Sequence, residues 1–251
     1  MKIAISGKGG AGKTTLAALL AQEVAAQGAR VFAIDADSNP NLALALGFPE
    51  MPQPLVELKD LIEERLGALE GFFRLNPKVD DIPERFSFEH RGIRLLVMGG
   101  IRQGGAGCAC PENAFLRSLL QHLVLARDEW VIVDLEAGLE HLGRATAQGV
   151  DALLVVVEPA SSSLETARRM RELAAEIGLK RFYAVGNKIR EPEDAQFIQQ
   201  GLDELKILAL LPESPAVRRA AREGTPILDP ELESEVRRIL QELGAPSGDQ
   251  G

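Results

Sequence analysis

The stretch Gly7-Lys8-Gly9-Gly10-Ala11-Gly12-Lys13-Thr14 carries the first chemistry in the chain. Its spacing is G-x-x-x-x-G-K-[ST], the pattern of a loop that cradles phosphates. Glycine lets the backbone take left-handed angles, so successive N–H groups can point inward as an anion nest. A helix opening at Thr14-Thr15-Leu16 adds its positive N-terminal end. In this arrangement Lys13 reaches the β- and γ-phosphates and the Thr14 hydroxyl binds Mg²⁺. The nucleotide-binding set is therefore Gly9, Gly10, Ala11, Gly12, Lys13, Thr14 and Thr15. The other reading is a glycine-rich turn that binds nothing.

Two further groups have chemical potential. Asp35-Ala36-Asp37 follows an apolar run, at the carboxyl end of a strand, where ligands sit in open parallel sheets. The alternative there is an Asx-turn that caps a helix beyond Asn39. Cys108-Ala109-Cys110 lies in a glycine-rich stretch and contains both cysteines of the chain. Two thiolates this close can supply two of the four ligands of a soft metal, and a symmetric dimer could supply the other two. A pair of free surface thiols is the competing reading.

These groups need a scaffold, and the hydrophobic pattern describes one. Lys2–Ser6 reads as a buried strand. Leu16, Leu19, Leu20 and Val24 recur at helical spacing within a helix over 13–27, ended by Gly28. Strands are predicted at 30–34, 93–98, 130–133, 151–157, 180–186 and 207–211. Helices are predicted at 39–47, 55–66, 114–126, 161–177, 191–202, 215–222 and 231–243, with Asn113 capping the third. Residues 67–91 read as a loop insertion. The alternation of strands and helices predicts an α/β fold, a mostly parallel central sheet with helices on both faces. Residues 1–243 form one domain in this reading, and 244–251 a flexible tail.

Composition limits the function. The chain has 251 residues, 45% of them hydrophobic, enough for a large core. A net charge of −9 and only 4% aromatic residues argue against nucleic acid as a partner. The pairs Arg168-Arg169, Arg218-Arg219 and Arg237-Arg238 read as solvated helix faces. No apolar run approaches the about 20 residues of a membrane span. Met1 leads straight into the first strand, with no signal peptide pattern. The expectation is a cytoplasmic protein with no stable membrane association.

Lys8, a second lysine directly after Gly7, resembles the signature lysine of the deviant Walker A ATPases, which include MinD, ParA, the nitrogenase iron protein and the arsenite-pump ATPase. With Asn76-Pro77-Lys78-Val79, the Cys108-Ala109-Cys110 loop and Glu112-Asn113-Ala114-Phe115-Leu116, nearly the whole chain resembles the CooC family. Those are maturation ATPases for nickel carbon monoxide dehydrogenase, with a sister form serving acetyl-CoA synthase. The resemblance implies a P-loop NTPase fold of the SIMIBI class and a homodimer hydrolysing Mg-ATP to ADP. It makes Lys8, Lys13 and Asp37 catalytic: Lys8 crosses to the partner's nucleotide and Asp37 orients the attacking water. Asp134 looks like the aspartate that holds Mg²⁺ through water. Asp134-Leu135-Glu136-Ala137-Gly138 is similar to the second switch, with the Gly138 N–H approaching the γ-phosphate and the Glu136 side chain pointing away. Asn187 would meet the adenine edge, or else be a turn residue, and Pro212 would begin the loop over the base. Cys108 and Cys110 would bind Zn²⁺ or Ni²⁺ across the dimer. His141 is a metal ligand or a core histidine. The partners implied are apo carbon monoxide dehydrogenase or acetyl-CoA synthase. Two rivals remain: a MinD- or ParA-like positioning or partition ATPase, and a nucleotide-gated metal store or redox sensor.

Overall fold

Strand β1 (Lys2–Gly7) is buried from Ile3 onward. A strand covered on both faces has to be apolar on both sides, so it reads as a continuous run. The computed structural model describes residues 1–67, 74, 77–99, 111–126, 129–136 and 144–244. The other strands are β2 (Val31–Ala36), β3 (Phe88–His90), β4 (Ile93–Val97), β5 (Trp130–Leu135), β6 (Ala152–Val157), β7 (Phe182–Ile189) and β8 (Ile207–Pro212). They form an eight-stranded sheet in the order β3-β4-β2-β5-β1-β6-β7-β8. All neighbouring pairs are parallel except β3 with β4.

The helices are α1 (Lys13–Ala26), α2 (Leu42–Leu46), α3 (Lys59–Leu66), α4 (Ile82–Phe86), α5 (Pro111–Ala126), α6 (Arg144–Gly149), α7 (Ser161–Glu176), α8 (Pro192–Gly201), α9 (Pro215–Glu223) and α10 (Pro230–Glu242). Alternation along the strands divides the core in two. Ile3, Ile5, Leu154 and Val156 face α1, α2 and α10. Ala4, Leu153, Val155 and Val157 face α5 and α7. Each large side chain buried this way contributes about 1.5–3 kcal/mol. Leu16 through Ala21 of α1 are all buried, since α1 lies between the sheet, α2 and α10. The apolar face of α10, with Leu232, Val236, Ile239 and Leu240, is part of the same core.

Four details depart from the expected elements. The 67–91 stretch holds α4 and β3 as well as loop. Strand β3 folds back on β4 through Arg91 and Gly92, whose φ values of 51° and 77° suit a two-residue hairpin. Helix α5 begins at Pro111, so Asn113 lies in its first turn and does not cap it. Proline at a helix start loses only an N–H that has no helical partner anyway. Helix α6 joins the expected set. Strand β7 runs on to Ile189 and carries Asn187 and Lys188 within it, next to an irregularity against β8. Of the expected 244–251 tail, all but Gly244 lies outside the described residues.

Candidate functional site

The phosphate loop leaves β1 at Gly7, where φ is +148° and a Cβ would stand 2.4 Å from the Val156 carbonyl oxygen. Only glycine fits. The Ala11 N–H donates to the Lys8 carbonyl at 3.1 Å and closes the turn. Gly12, in the left-handed region, starts α1 and supplies no side-chain cap. The first-turn N–H groups of a full-length helix are therefore left for an anion. Lys13 is 7% exposed, and Gly9 and Gly10 stand open to solvent.

Behind the loop lies a buried carboxylate pair. The register of β2 on β5 sets Asp35 beside Asp134, and both are fully buried. The Thr14 hydroxyl donates to Asp134 Oδ2 at 2.6 Å. Asp134 Oδ1 is buried without a hydrogen-bond partner among the described residues. Burial, then the charge of Asp35, pushes the Asp134 carboxyl up to about 8, against the pull of Thr14 and Lys13. Burial likewise raises Asp35 to about 6, opposed by the backbone N–H groups it accepts from. An unmet carboxylate oxygen beside a threonine hydroxyl is the hard-oxygen donor set that suits Mg²⁺, which keeps several of its waters.

Asp35 also builds the loop after β2. It accepts from the Asp37 N–H at 3.2 Å and from the Leu42 N–H at 2.8 Å. Asp37, half-buried, accepts from the Asn39 N–H at 2.9 Å, so the Asx-turn is formed. Glu136 turns its carboxylate to this loop, accepting from the Ser38 hydroxyl at 2.8 Å.

The front of the loop is held by β7. Asn187 donates through Nδ2 to the Ala11 carbonyl at 2.8 Å. Lys188 donates through Nζ to the Gly10 carbonyl at 2.6 Å and pairs with Glu158 at 2.9 Å. Lys188 adopts a φ of +61°, unusual for a side-chain-bearing residue. Lys8 donates through Nζ to the Ser162 hydroxyl, at 2.7 Å, at the start of α7. Pro212 ends β8, opposite Ile189. Sequence reading passed over Lys188, Ser162 and the partner of Glu136; the Asn-Lys pair at a strand end was the one local signal.

Gly138, His141, Cys108, Cys110 and Asn76 lie outside the described residues. Among the described residues no cluster of three or more His, Cys, Asp or Glu side chains is placed to hold a metal. No described helix is long and apolar enough to cross a membrane. Arginines 168, 169, 237 and 238 each bond to a carboxylate or carbonyl of the fold, and Arg218 pairs with Glu213 at 3.9 Å.

Residues 2–227 match the model of the CobQ/CobB/MinD/ParA nucleotide binding domain. The carbon monoxide dehydrogenase accessory protein CooC of Rhodospirillum rubrum is 44% identical over 236 residues, covering 91% of this chain and 90% of CooC. An uncharacterised ATP-binding protein of Methanocaldococcus jannaschii is also 44% identical, over 248 residues and 96% of each chain. Among solved structures, MinD in the MinC:MinD complex of Aquifex aeolicus superposes with a TM-score of 0.70 at 21% identity, covering 98% of this chain and 96% of that one. MinD of Pyrococcus horikoshii with Mg-ADP gives 0.68 at 21% identity, covering 96% and 94%.

Proposed function

The chain belongs to the CobQ/CobB/MinD/ParA nucleotide-binding family and is an ATPase, and from that premise we propose that it is a dimeric, Mg²⁺-dependent accessory ATPase for nickel insertion. The client in this reading is apo carbon monoxide dehydrogenase or acetyl-CoA synthase. The observation that carries the ATPase chemistry is the Thr14–Asp134 hydrogen bond at 2.6 Å, with an orphaned carboxylate oxygen behind it. Mg²⁺, held by Thr14 directly and by Asp134 through water, would neutralise charge on the β- and γ-phosphates. The client assignment is supported by the identity with CooC along nearly the whole chain.

The residues divide the work. The N–H groups of Gly9 through Thr15 bind the phosphates, and Lys13 lies along them. Lys8 leaves Ser162 and reaches the nucleotide of the partner protomer, adding charge where it develops in the transition state. Asp37 orients the attacking water. The Gly138 N–H meets the γ-phosphate. Asn187, whose Nδ2 is engaged on the loop, turns Oδ1 to the adenine amino group, and Pro212 lies over the base. One nucleotide-binding domain, residues 1–243, carries all of these. Cys108 and Cys110 of two protomers give four thiolates for Ni²⁺ or Zn²⁺ as cargo, and the nucleotide state of the switch loops sets whether that site is closed.

Burial of the apolar face of α10 in the core supports this over a membrane-positioning ATPase, which would need such a face free. The test is metal analysis and size measurement of the purified protein with and without ATP. The expected result is an ATP-dependent dimer with one metal ion between two protomers. Cys108→Ala or Cys110→Ala lowers the metal content and leaves ATP affinity unchanged. ATP turnover rises when the apo-dehydrogenase is added. Unchanged metal content in both cysteine variants would refute the cargo site.

A further inference from the structure

Glu136 is where three segments of the site meet. Its backbone carbonyl accepts from the Ser6 hydroxyl at 3.1 Å, and Ser6 is fully buried at the end of β1, directly before the phosphate loop. Its side-chain Oε1 accepts from the Ser38 hydroxyl at 2.8 Å, and Ser38 is exposed and adjacent to Asp37. Glu136 itself stands two residues beyond Asp134, at the exit of β5. The loop carrying Asp37 is thus pinned at its base, where Asp35 accepts from the Asp37 and Leu42 N–H groups, and at its tip by Ser38 on Glu136.

The two anchors differ in kind. The Asp35 bonds involve a fully buried carboxylate and cannot be exchanged for water without cost. The Ser38–Glu136 bond is exposed, so water can replace it when the loop moves. A bond of that strength adds little to the fold, yet it suffices to bias a loop about tenfold between two positions.

We propose that Glu136 is a positioning residue for ATP hydrolysis, which through Ser38 ties the Asp37 loop to the end of β5. Asp37 reaches its working position only when the Ser38–Glu136 bond sets its loop against the end of β5. The inference rests on the ATPase reading and on the role given to Asp37 there. The bond acts on placing the water and not on gripping the nucleotide, since neither Ser38 nor Glu136 belongs to the phosphate cradle.

The test is steady-state ATP turnover and ATP affinity for Ser38→Ala, Glu136→Ala, Glu136→Gln and the double variant S38A/E136A. Thermal melting serves as the folding control. Expected are about tenfold losses in kcat for each alanine variant, with KM and Kd for ATP within about twofold of wild type. Glu136→Gln keeps an oxygen acceptor and recovers most of the rate. The double variant is no slower than the worse single one, because both remove the same bond. A kcat unchanged in Ser38→Ala overturns the proposal. So do losses that multiply in the double variant, a glutamine as damaging as alanine, or equal losses in affinity and rate. If the wild-type protein neither binds nor hydrolyses ATP, the ATPase reading falls first and this inference with it; normal wild-type turnover with normal Ser38→Ala turnover removes this inference alone.

Discussion

The rear of the phosphate loop and its front lip are built on opposite electrostatic terms. At the rear, two carboxylates are fully buried side by side, and one oxygen of Asp134 has no partner among the described residues. At the lip, the carbonyls of Gly10 and Ala11 are met by Lys188 and Asn187, and the charge of Lys188 is balanced by Glu158. A satisfied lip keeps the cradle in shape before any ligand arrives. An unsatisfied rear is a standing cost that a divalent cation removes. Such strain at a site is retained because it makes binding favourable there and nowhere else. The contrast assigns the two sides different experimental signatures: changes at the rear should trade activity for stability, and changes at the lip should cost affinity.

The largest effect is expected at the rear. Asp134→Asn should lower ATP turnover by about 10²–10³-fold, the range for losing a group that stabilises transition-state charge. Above pH 8, where the Asp134 carboxyl is ionised, it should also raise the melting temperature of the nucleotide-free protein by about 2–4 °C, since removing a buried unpaired charge relieves roughly a kilocalorie per mole. Parallel calorimetry and turnover assays check both. A variant that loses activity and also melts lower would break the contrast, because the rear would then be a conventional stabilising network.

Lys8 stands beside the lip in one protomer, bonded to Ser162 and not to the cradle, and by the proposed function it belongs to the partner's site in the dimer. Its ammonium stands at the N-terminus of α7, where the helix field is unfavourable to a cation, and it is held there by the Ser162 hydroxyl. Lys8→Ala should abolish ATP-dependent dimerisation in size measurements and leave ATP affinity within about threefold. A mutant that dimerises normally would remove Lys8 from the interface. At the other corner, Lys188→Met should weaken ATP binding by about tenfold, the value of one charge-assisted hydrogen bond to the cradle, with kcat little changed. Titration calorimetry reads it directly. Undiminished affinity would mean that the lip does not shape the cradle at all.

What was legible in the sequence follows the same division. The cradle is a run of consecutive residues whose spacing dictates its geometry, so Gly7 to Thr14 could be read before any fold was known. Asp35, Asp37 and Asp134 were legible as the polar ends of apolar strands, and sheet order then brought Asp35 and Asp134 together. The supports were not legible. Ser38 and Glu136 are 98 residues apart, Lys8 and Ser162 154, and Gly10 and Lys188 178. Those contacts exist because β5 inserts between β1 and β2, and β7 lies beyond β6, which no local pattern encodes. Strand β3 escaped for a different reason. It is three residues long and exposed, and its Phe88-Glu89-His90 order shows no buried face. Asn113 was misplaced because it is a good capping residue by type, while Pro111 and Glu112 ahead of it are already helical.

The smallest expected effect concerns pH, and it tests the comparison without any change at the cradle itself. A carboxyl raised in the folded protein binds its proton more tightly there than in the unfolded chain. Its contribution to stability is therefore fully present below the unfolded value of 3.8 and is lost as pH rises through the folded value. For Asp35 that loss runs from 3.8 to about 6 and for Asp134 from 3.8 to about 8. Asp81 works in the other direction: the Arg65 guanidinium, then Arg85, holds its carboxyl down to about 2, so its contribution is present above 3.8 and disappears only in acid. Between about pH 5 and pH 8 the rear pair should tilt the curve downward, opposed in part by the Met1 amino group that burial lowers from 8.0, and the nucleotide-free protein should melt a few degrees lower at the alkaline end. Mg-ATP should flatten the slope, because a divalent cation beside Asp134 stabilises its ionised form, and Asp134→Asn should flatten it without nucleotide. A melting temperature equally steep with and without Mg-ATP would place the proton uptake elsewhere and leave the rear carboxylates without the role that distinguishes them from the lip.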